Sequence, residues 1–348
     1  MKIAVIGGGN GAYAAAADFA EQGHDVSMWR RNTAALQPSL TIKDAEGERK
    51  VSISISQKVE EALKGAELVF MPDPAFTQAD NAKRLAPHLA GGQVVFLAPG
   101  TFGSYVMAKI IRDSGNKADF TFAETGTLPW LTRKHGPTTA AITARATRLP
   151  TGAYPRKNSQ HAFTVLRKVF KSIEPVEDAL SGALMNAGPI IHPPLILMNA
   201  GPLEHFERWD IHKEGTQPSI RRVTDALDAE RVAAREALGY KAPHFPLADH
   251  YRPDGDEWMY GRKVHKKLTD SNDWRERIVL TEHRYMREDV ECGLAFLVSV
   301  CEKAGVPCPV ARGLLALGSA VVGRDLRRTG RTLESLGVNS IQQLKEAL

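Results

Sequence analysis

The sequence predicts an α/β protein: an N-terminal Rossmann-type doubly wound parallel sheet over residues 1–181, followed by an all-α C-terminal domain over residues 182–348. Three observations predict it. Short apolar runs alternate with helical patterns as far as about residue 180, the order that parallel strands joined by crossover helices require. Beyond that point strand signals fade and the periodicity is helical. The length, 348 residues, exceeds what one ordinary core accommodates.

Residues 2–6 form the first apolar strand, and 12–20 read as an alanine-rich helix. Between them Gly7, Gly9 and Ala12 fit G-x-G-x-x-G/A, with Asn10 and Gly11 filling the pattern. Gly7 permits the tight turn, Gly9 lets backbone N–H groups approach a pyrophosphate, and Ala12 lets the helix pack closely on the strand. The helix N-terminus adds orphan N–H groups and partial positive charge for that anion. Gly7, Gly9, Asn10, Gly11 and Ala12 are therefore candidate cofactor-binding residues. A second strand, 25–29, runs into Arg30, Arg31 and Asn32. An NAD site usually carries an acid about 20 residues past the glycines, on the ribose 2′-hydroxyl. Two guanidiniums suit a 2′-phosphate instead, so NADP(H) is the expected cofactor and NAD(H) the alternative. A merely solvated pair of arginines is the other reading.

Further along, 41–56 alternates as a hairpin turning near Glu46 and Gly47. Residues 67–71, 93–97, 120–124 and 138–144 read as strands. Ligands of such sheets lie beyond the carboxyl ends of the strands. That places the loops 72–75, 98–101 and 124–127 at the cofactor, with Pro74, Pro99, Gly100 and Thr125 as candidate contacts. Each loop also reads as an ordinary turn, since Pro and Gly are turn residues first. The C-terminal half predicts helices at 194–199, 223–238 and 289–304, with Gly239 stopping the second. The cleft between the domains is the expected site.

Hydrophobic residues make up 43% of the chain and charged residues 24%, the balance of a soluble globular protein. The net charge is +5 and the isoelectric point about 9.0, yet basic residues are spread and interleaved with acids except in short runs such as 324–331. With no stacking or DNA-reading motif, nucleic acid is not an expected partner. The excess charge suits a phosphorylated cofactor and carboxylate substrates. No apolar run reaches the roughly 18 residues of a membrane span, and the first residues read as a strand rather than a secretion signal. Cys292, Cys301 and Cys308 lack C-x-x-C spacing and read as reduced thiols rather than a disulfide frame or metal site. A cytoplasmic protein is expected, and a homodimer is compatible with the sequence.

Among eleven histidines, His192 has the most unusual setting, an apolar run from Gly188 to Leu195. Pro193 predicts an extended His192, with a helix starting near Pro194, so that the imidazole stands at a helix N-terminus. Such a group near neutral pH can act as a proton donor and acceptor. A satisfied core histidine is the competing reading. In Arg284-Tyr285-Met286-Arg287-Glu288-Asp289-Val290, Glu288 or Asp289 is expected to open a helix, where capping alone explains an acid. Arg284 and Asp289 diverge on an ideal helix and converge only if Arg284 lies in the preceding turn.

The segments GGGNGAYA, ETGTLPW, NAGPIIHPP and RYMREDV, in this order and spacing, resemble those of the octopine/nopaline (opine) dehydrogenase family. The resemblance spans the whole chain, with the last two segments the most specific and residues 209–280 matching poorly. It implies that His192 is the catalytic histidine, Asp289 the aspartate that orients it, and Arg284 the arginine that holds a 2-oxo acid's carboxylate. Glu291 and Cys292 depart from the family pattern, which has proline or an apolar residue there. Asn199 and Trp209 are candidates for the amine substrate. The implied reaction is NAD(P)H-dependent reductive condensation of an amino acid with a 2-oxo acid, through an imine. Two alternatives stand beside it. One is a glycerol-3-phosphate or ketopantoate type of dehydrogenase, using a catalytic lysine; Lys213, Lys241, Lys263, Lys266 and Lys267 sit in polar, loop-like contexts. The other is a non-catalytic NADPH-sensing protein, which predicts a broken site.

Overall fold

The computed structural model describes residues 1–252, 254, 257 and 259–348, which form two compact units, Met1–Ala183 and Leu184–Leu348. The first unit contains twelve strands: β1 (Lys2–Ile6), β2 (Asp25–Trp29), β3 (Ser39–Asp44), β4 (Gly47–Ser52), β5 (Ser54–Ile55), β6 (Leu68–Met71), β7 (Val94–Leu97), β8 (Thr121–Thr125), β9 (Trp130–His135), β10 (Thr139–Arg145), β11 (Leu149–Tyr154) and β12 (Ile173–Pro175). Eight of them form one sheet in the order β12-β11-β8-β7-β6-β1-β2-β5, parallel except between β8 and β11. From β1 the chain builds outward through β2 and β5, then crosses to β6 and builds the other way. The order therefore reverses beside β1, where a doubly wound sheet opens its ligand crevice.

Strands β6 and β7 are buried at every residue, as expected of sheet interior covered on both faces. The predicted strand at 138–144 exists as β10, but in a second sheet, β4-β3-β10-β9. This corrects its assignment to the parallel sheet. Ala140, Ala141 and Ile142 are buried, while Thr139 and the residues from Thr143 to Arg145 are partly or fully open. The covering element is the helix Asn10–Glu21, which also packs on β3 and β9. Phe19 of that helix joins an edge-on aromatic cluster, with ring centroids 5.5 Å from Phe70, 5.8 Å from Trp130 and 5.5 Å from Phe170. Rings so arranged add about 0.5–1.5 kcal/mol per pair beyond their burial. The predicted hairpin is β3–β4, while Ser54 and Ile55 leave it to pair with β2.

Strand β11 escapes prediction because Pro150 and Gly152 interrupt its pattern. Gly152 is needed there: a Cβ on it would stand 1.9 Å from the carbonyl oxygen of Asp178. Close approach of another backbone is one reason a strand carries glycine.

Among its described residues the second unit contains helices and no strand. Its longest helix, Pro218–Ala237, starts ahead of the predicted 223 because Pro218 suits the first turn, and it ends before Gly239, whose φ is +84°. Buried Arg231 of this helix pairs with Asp228 at 2.6 Å and donates to the carbonyls of Leu184, His244 and Phe245. That network satisfies a buried guanidinium on several sides at once. Cys292, Cys301 and Cys308 are buried free thiols. No helix among the described residues is long and apolar enough to cross a membrane.

Gly152→Ala is expected to cost several kcal/mol, since the added methyl meets backbone that cannot swing aside. Gly115→Ala, at a φ of +91° but with open space around it, is expected to cost only about 1 kcal/mol. Paired denaturant titrations of the two variants check the difference.

Candidate functional site

The glycine turn after β1 is closely packed at Gly7 and Gly8 and open at Gly9. Gly7 has φ +126°, and a Cβ on it would stand 2.6 Å from Asp73 Oδ1. Asp73 is held by Asn81, whose Nδ2 donates to it at 2.9 Å, so the loop after β6 closes directly on the turn. A Cβ on Gly8 would meet the Arg30 side chain at 2.7 Å, whereas around Gly9 nothing lies within 4 Å. An open glycine at a helix start, with a guanidinium beside it, suits a pyrophosphate and an adjacent anionic group. Gly11 packs on Leu128 and Pro72, and Ala12 is buried against the sheet. Asn10 opens the helix, and its Oδ1 accepts the backbone N–H of Lys134 at 3.0 Å. Arg31 is exposed, and Asn32 caps the following turn by accepting from Ala34.

The other two loops are tied by one buried acid. Glu124 accepts the N–H of Phe102 at 2.7 Å, the N–H of Ser104 at 3.3 Å, and the Ser104 hydroxyl. A Cβ on Gly100 would collide with that carboxylate. Gly100 also gives its carbonyl to Gln78 Nε2 at 2.9 Å, so Pro99 and Gly100 belong to a fixed loop. Thr125 is fully buried and its hydroxyl donates to the Pro150 carbonyl, which commits its side chain to the fold. Pro74 begins a short turn, and its carbonyl accepts from Thr77.

In the second unit, His192 is not extended ahead of a helix. It is the fifth residue of the helix Gly188–Met198, which carries Pro193 and Pro194 in its interior. Proline disfavours this locally, but the helix buries Pro189, Ile190, Pro193, Pro194, Leu195 and Ile196, and packing overrides the local preference. Pro189 seats on Gly293, where a Cβ would stand 2.1 Å away. Asp289 likewise does not open a helix. It lies within a π-helix, Tyr285–Leu294, that runs straight into the α-helix Ala295–Ala304. Arg284 precedes it with helical dihedrals. Hydrogen bonds from i to i+5 bring residues five apart toward one side, and Arg284 and Asp289 do interact electrostatically.

His192 Nδ1 meets Asp289 Oδ2 at 2.7 Å, with 16% and 4% of their side chains exposed. Burial pushes the Asp289 carboxyl up to about 7, against the pull of Arg284 and His283. Gly188 makes room for this carboxylate: a Cβ there would stand 2.3 Å from Asp289 Oδ1. Arg284, 43% exposed, pairs with buried Glu288 at 3.5 Å. Asn199 does not present its amide outward. Its Nδ2 donates to the Leu195 and Gly215 carbonyls at 2.9 and 3.2 Å, and its Oδ1 accepts from Trp209 Nε1 at 2.9 Å. Trp209 stacks on Phe206, which is exposed. Lys266 and Lys267 lie on the helix Val264–Asp270 rather than in a loop, and Lys266 pairs with Asp270 on the surface.

Two residues without a role in the sequence reading complete the constellation. The Tyr285 ring stacks on His192, with centroids 3.6 Å apart and planes 10° from parallel. Its hydroxyl lies 3.1 Å from Nε2 of buried His212. Tyr285 adjoins Arg284 in sequence, whereas nothing local marks His212.

Residues 175–322 match the family model described as NAD/NADP octopine/nopaline dehydrogenase, alpha-helical domain. The chain is 27% identical over 353 residues to an opine dehydrogenase from Arthrobacter sp. (strain 1C), covering 97% of this chain and 95% of the relative. Among solved structures it is similar to an octopine dehydrogenase in complex with NADH and agmatine, with a TM-score of 0.75 at 17% identity, covering 99% of this chain and 97% of that one. It is also similar to an NADP+-bound yersinopine dehydrogenase, with a TM-score of 0.68 at 15% identity and 99% of both chains covered.

The raised Asp289 carboxyl has a consequence for stability. Its folded value lies above the unfolded one, so the folded state binds the extra proton and loses stability as pH rises from about 4 through about 7. Asp289→Asn removes that loss. The melting temperature of the variant relative to the wild type is therefore expected to climb across pH 4 to 8, read by thermal unfolding at each pH.

Proposed function

We propose that this chain is a member of the NAD/NADP octopine/nopaline dehydrogenase family that joins the amine of an amino acid to the carbonyl carbon of a 2-oxo acid with release of water and reduces the resulting imine, with NADPH as the preferred reductant. It is an NAD(P)-dependent opine-type oxidoreductase acting on CH–NH bonds. The observation that carries the residue assignment is the 2.7 Å contact between His192 Nδ1 and Asp289, on the same helical segment as Arg284.

The turn at Gly7, Gly9, Asn10, Gly11 and Ala12 would hold the pyrophosphate of the dinucleotide, and Arg30 with Arg31 its 2′-phosphate. The bound nicotinamide supplies hydride to the imine carbon. His192 exchanges protons with the reacting centre through Nε2, because Nδ1 is committed to Asp289. Asp289 fixes the imidazole's tautomer and orientation, and its charge stabilises the imidazolium formed when the ring takes up a proton. A buried acid does this better than a solvated one, since the surrounding dielectric is low. Arg284 offers a planar, exposed guanidinium that grips the oxo-acid carboxylate with paired hydrogen bonds. Asn199 acts indirectly by fixing the Trp209 indole, whose ring beside Phe206 is the candidate surface for the amine substrate.

Nucleotide oxidation measured across a matrix of 2-oxo acids and amino acids tests the reaction. Turnover is expected only when both are present; turnover with an oxo acid alone would identify a hydroxy-acid dehydrogenase instead. His192→Ala is expected to lower kcat by about 10²–10⁴-fold while sparing nucleotide affinity, and wild-type turnover in that variant would remove the assigned role. Fluorescence titration of Arg30→Ala is expected to show NADPH affinity falling about tenfold more than NADH affinity, the loss of one charge-assisted contact. Equal losses would overturn the cofactor preference.

A further inference from the structure

We propose that Tyr285 and His212 are positioning residues that tune the proton affinity of His192 through the face of the phenol ring, an assignment that rests on His192 being the proton-transfer group. Three distances define the arrangement. The Tyr285 ring lies 3.6 Å from the His192 ring and nearly parallel to it. The Tyr285 hydroxyl is 3.1 Å from His212 Nε2. The His212 ring stands edge-on to both, its centroid 6.1 Å from Tyr285 and 6.2 Å from His192.

His192 is thus held in two directions at once. Asp289 fixes it in the ring plane, and Tyr285 covers one face. A phenol face carries negative quadrupole density, so an imidazolium stacked on it is favoured over the neutral ring. The hydroxyl decides how much density the ring carries. A neutral imidazole nitrogen is a better acceptor than a phenol oxygen, so Tyr285 donates to His212 Nε2. That polarises the phenol toward phenolate and strengthens its attraction for a cation. Protonating His212 reverses the dipole, because Nε2–H must then donate to the phenol oxygen, and the ring face weakens.

The remaining groups around these rings set the background. Arg284 stands over the Tyr285 ring at 4.9 Å. His283 meets that ring edge-on at 4.5 Å and pairs with Glu276 at 3.5 Å. Glu288 pairs with Arg284. The backbone N–H of His212 donates to Asp210, which faces Arg275 at 3.8 Å, and Trp274 lies edge-on to His212 at 5.7 Å. Arg284 and His192 thus both lie against the same phenol ring.

The test is an NMR titration of ¹⁵N-labelled imidazoles in the nucleotide-free protein, with the His192 signal assigned from His192→Ala. Tyr285→Phe keeps the stacked ring and loses only the hydroxyl; His212→Leu keeps the bulk and removes the acceptor. Each is expected to lower the His192 pKa by roughly half a unit to one unit, the span of a partly desolvated cation–π contact. The double variant is expected to shift it no further than either single one, because both act through one hydrogen bond. The same downward displacement should appear in the pH profile of kcat/KM. Superimposable His192 titrations in Tyr285→Phe and wild type, with both folded by circular dichroism, would overturn the proposal, as would additive shifts. The NMR titration stands apart from turnover: absence of condensation in the substrate matrix would sink the proposed reaction while leaving the coupling measurable.

Discussion

Burying a carboxylate obliges the rest of a protein to make room for it and to supply a partner, and Asp289 imposes both demands on the helical unit. Only 4% of its side chain is exposed, so an uncompensated charge there would cost several kcal/mol. His192 supplies the donor. For that contact the helix Gly188–Met198 must come within touching distance of the segment Tyr285–Leu294. Two glycines, one on each element, allow it. Gly188 leaves space for the Asp289 carboxylate, and Gly293 leaves space for Pro189. Two prolines inside the histidine's helix are tolerated because this close packing outweighs their local cost. A change at either glycine therefore acts on the acid–imidazole pair without touching a charged atom.

Glu124, buried in the first unit, shows by contrast what a structural carboxylate looks like. Its oxygens are met by two backbone N–H groups and a serine hydroxyl, all at the start of the helix Gly103–Asp113. Several neutral donors at a helix N-terminus make a carboxylate an anchor. Asp289 meets an imidazole, a group that itself gains and loses a proton near neutrality. Two buried acids thus hold different offices, and the difference lies in the partner rather than in the burial. Glu124 steadies the loop at Gly100, whereas Asp289 holds the imidazole of His192.

The sheet was largely legible in the sequence because each of its signals is local. Gly7, Gly9 and Ala12 sit in one turn, and runs such as Leu68–Met71 are apolar throughout because both faces are covered. Strands β9, β11 and β12 were not legible. Pro150 and Gly152 break the β11 pattern for the sake of a backbone approach from Asp178, which lies more than twenty residues along the chain. The site was legible in its members and not in its geometry. His192, Arg284 and Asp289 stand in recognisable segments, but Pro193 pointed to an extended histidine that packing then made helical. His212 carries no local signal, since its partner Tyr285 is 73 residues away. Asn199 was a candidate for the amine substrate, yet its three hydrogen bonds turn inward.

The π-helical form of Tyr285–Leu294 is the least predictable element and the one that gives the site its order. No hydrophobic repeat announces it, because its residues would serve equally well in an α-helix. In an α-helix of 3.6 residues per turn, positions five apart stand about 140° from one another. Arg284 and Asp289 would then serve different faces. Closing the backbone from i to i+5 narrows that separation, and Tyr285 at the start of the segment lies against His192. The widened helix has poorer packing around its own axis, so it persists only where outside contacts hold it. Pro189 on Gly293 and the His192–Asp289 pair are such contacts. The backbone form of this segment is thus held in part by the pair that His192 makes with Asp289. Loss of that pair would weaken not one hydrogen bond but the backbone form that carries Tyr285 and Asp289.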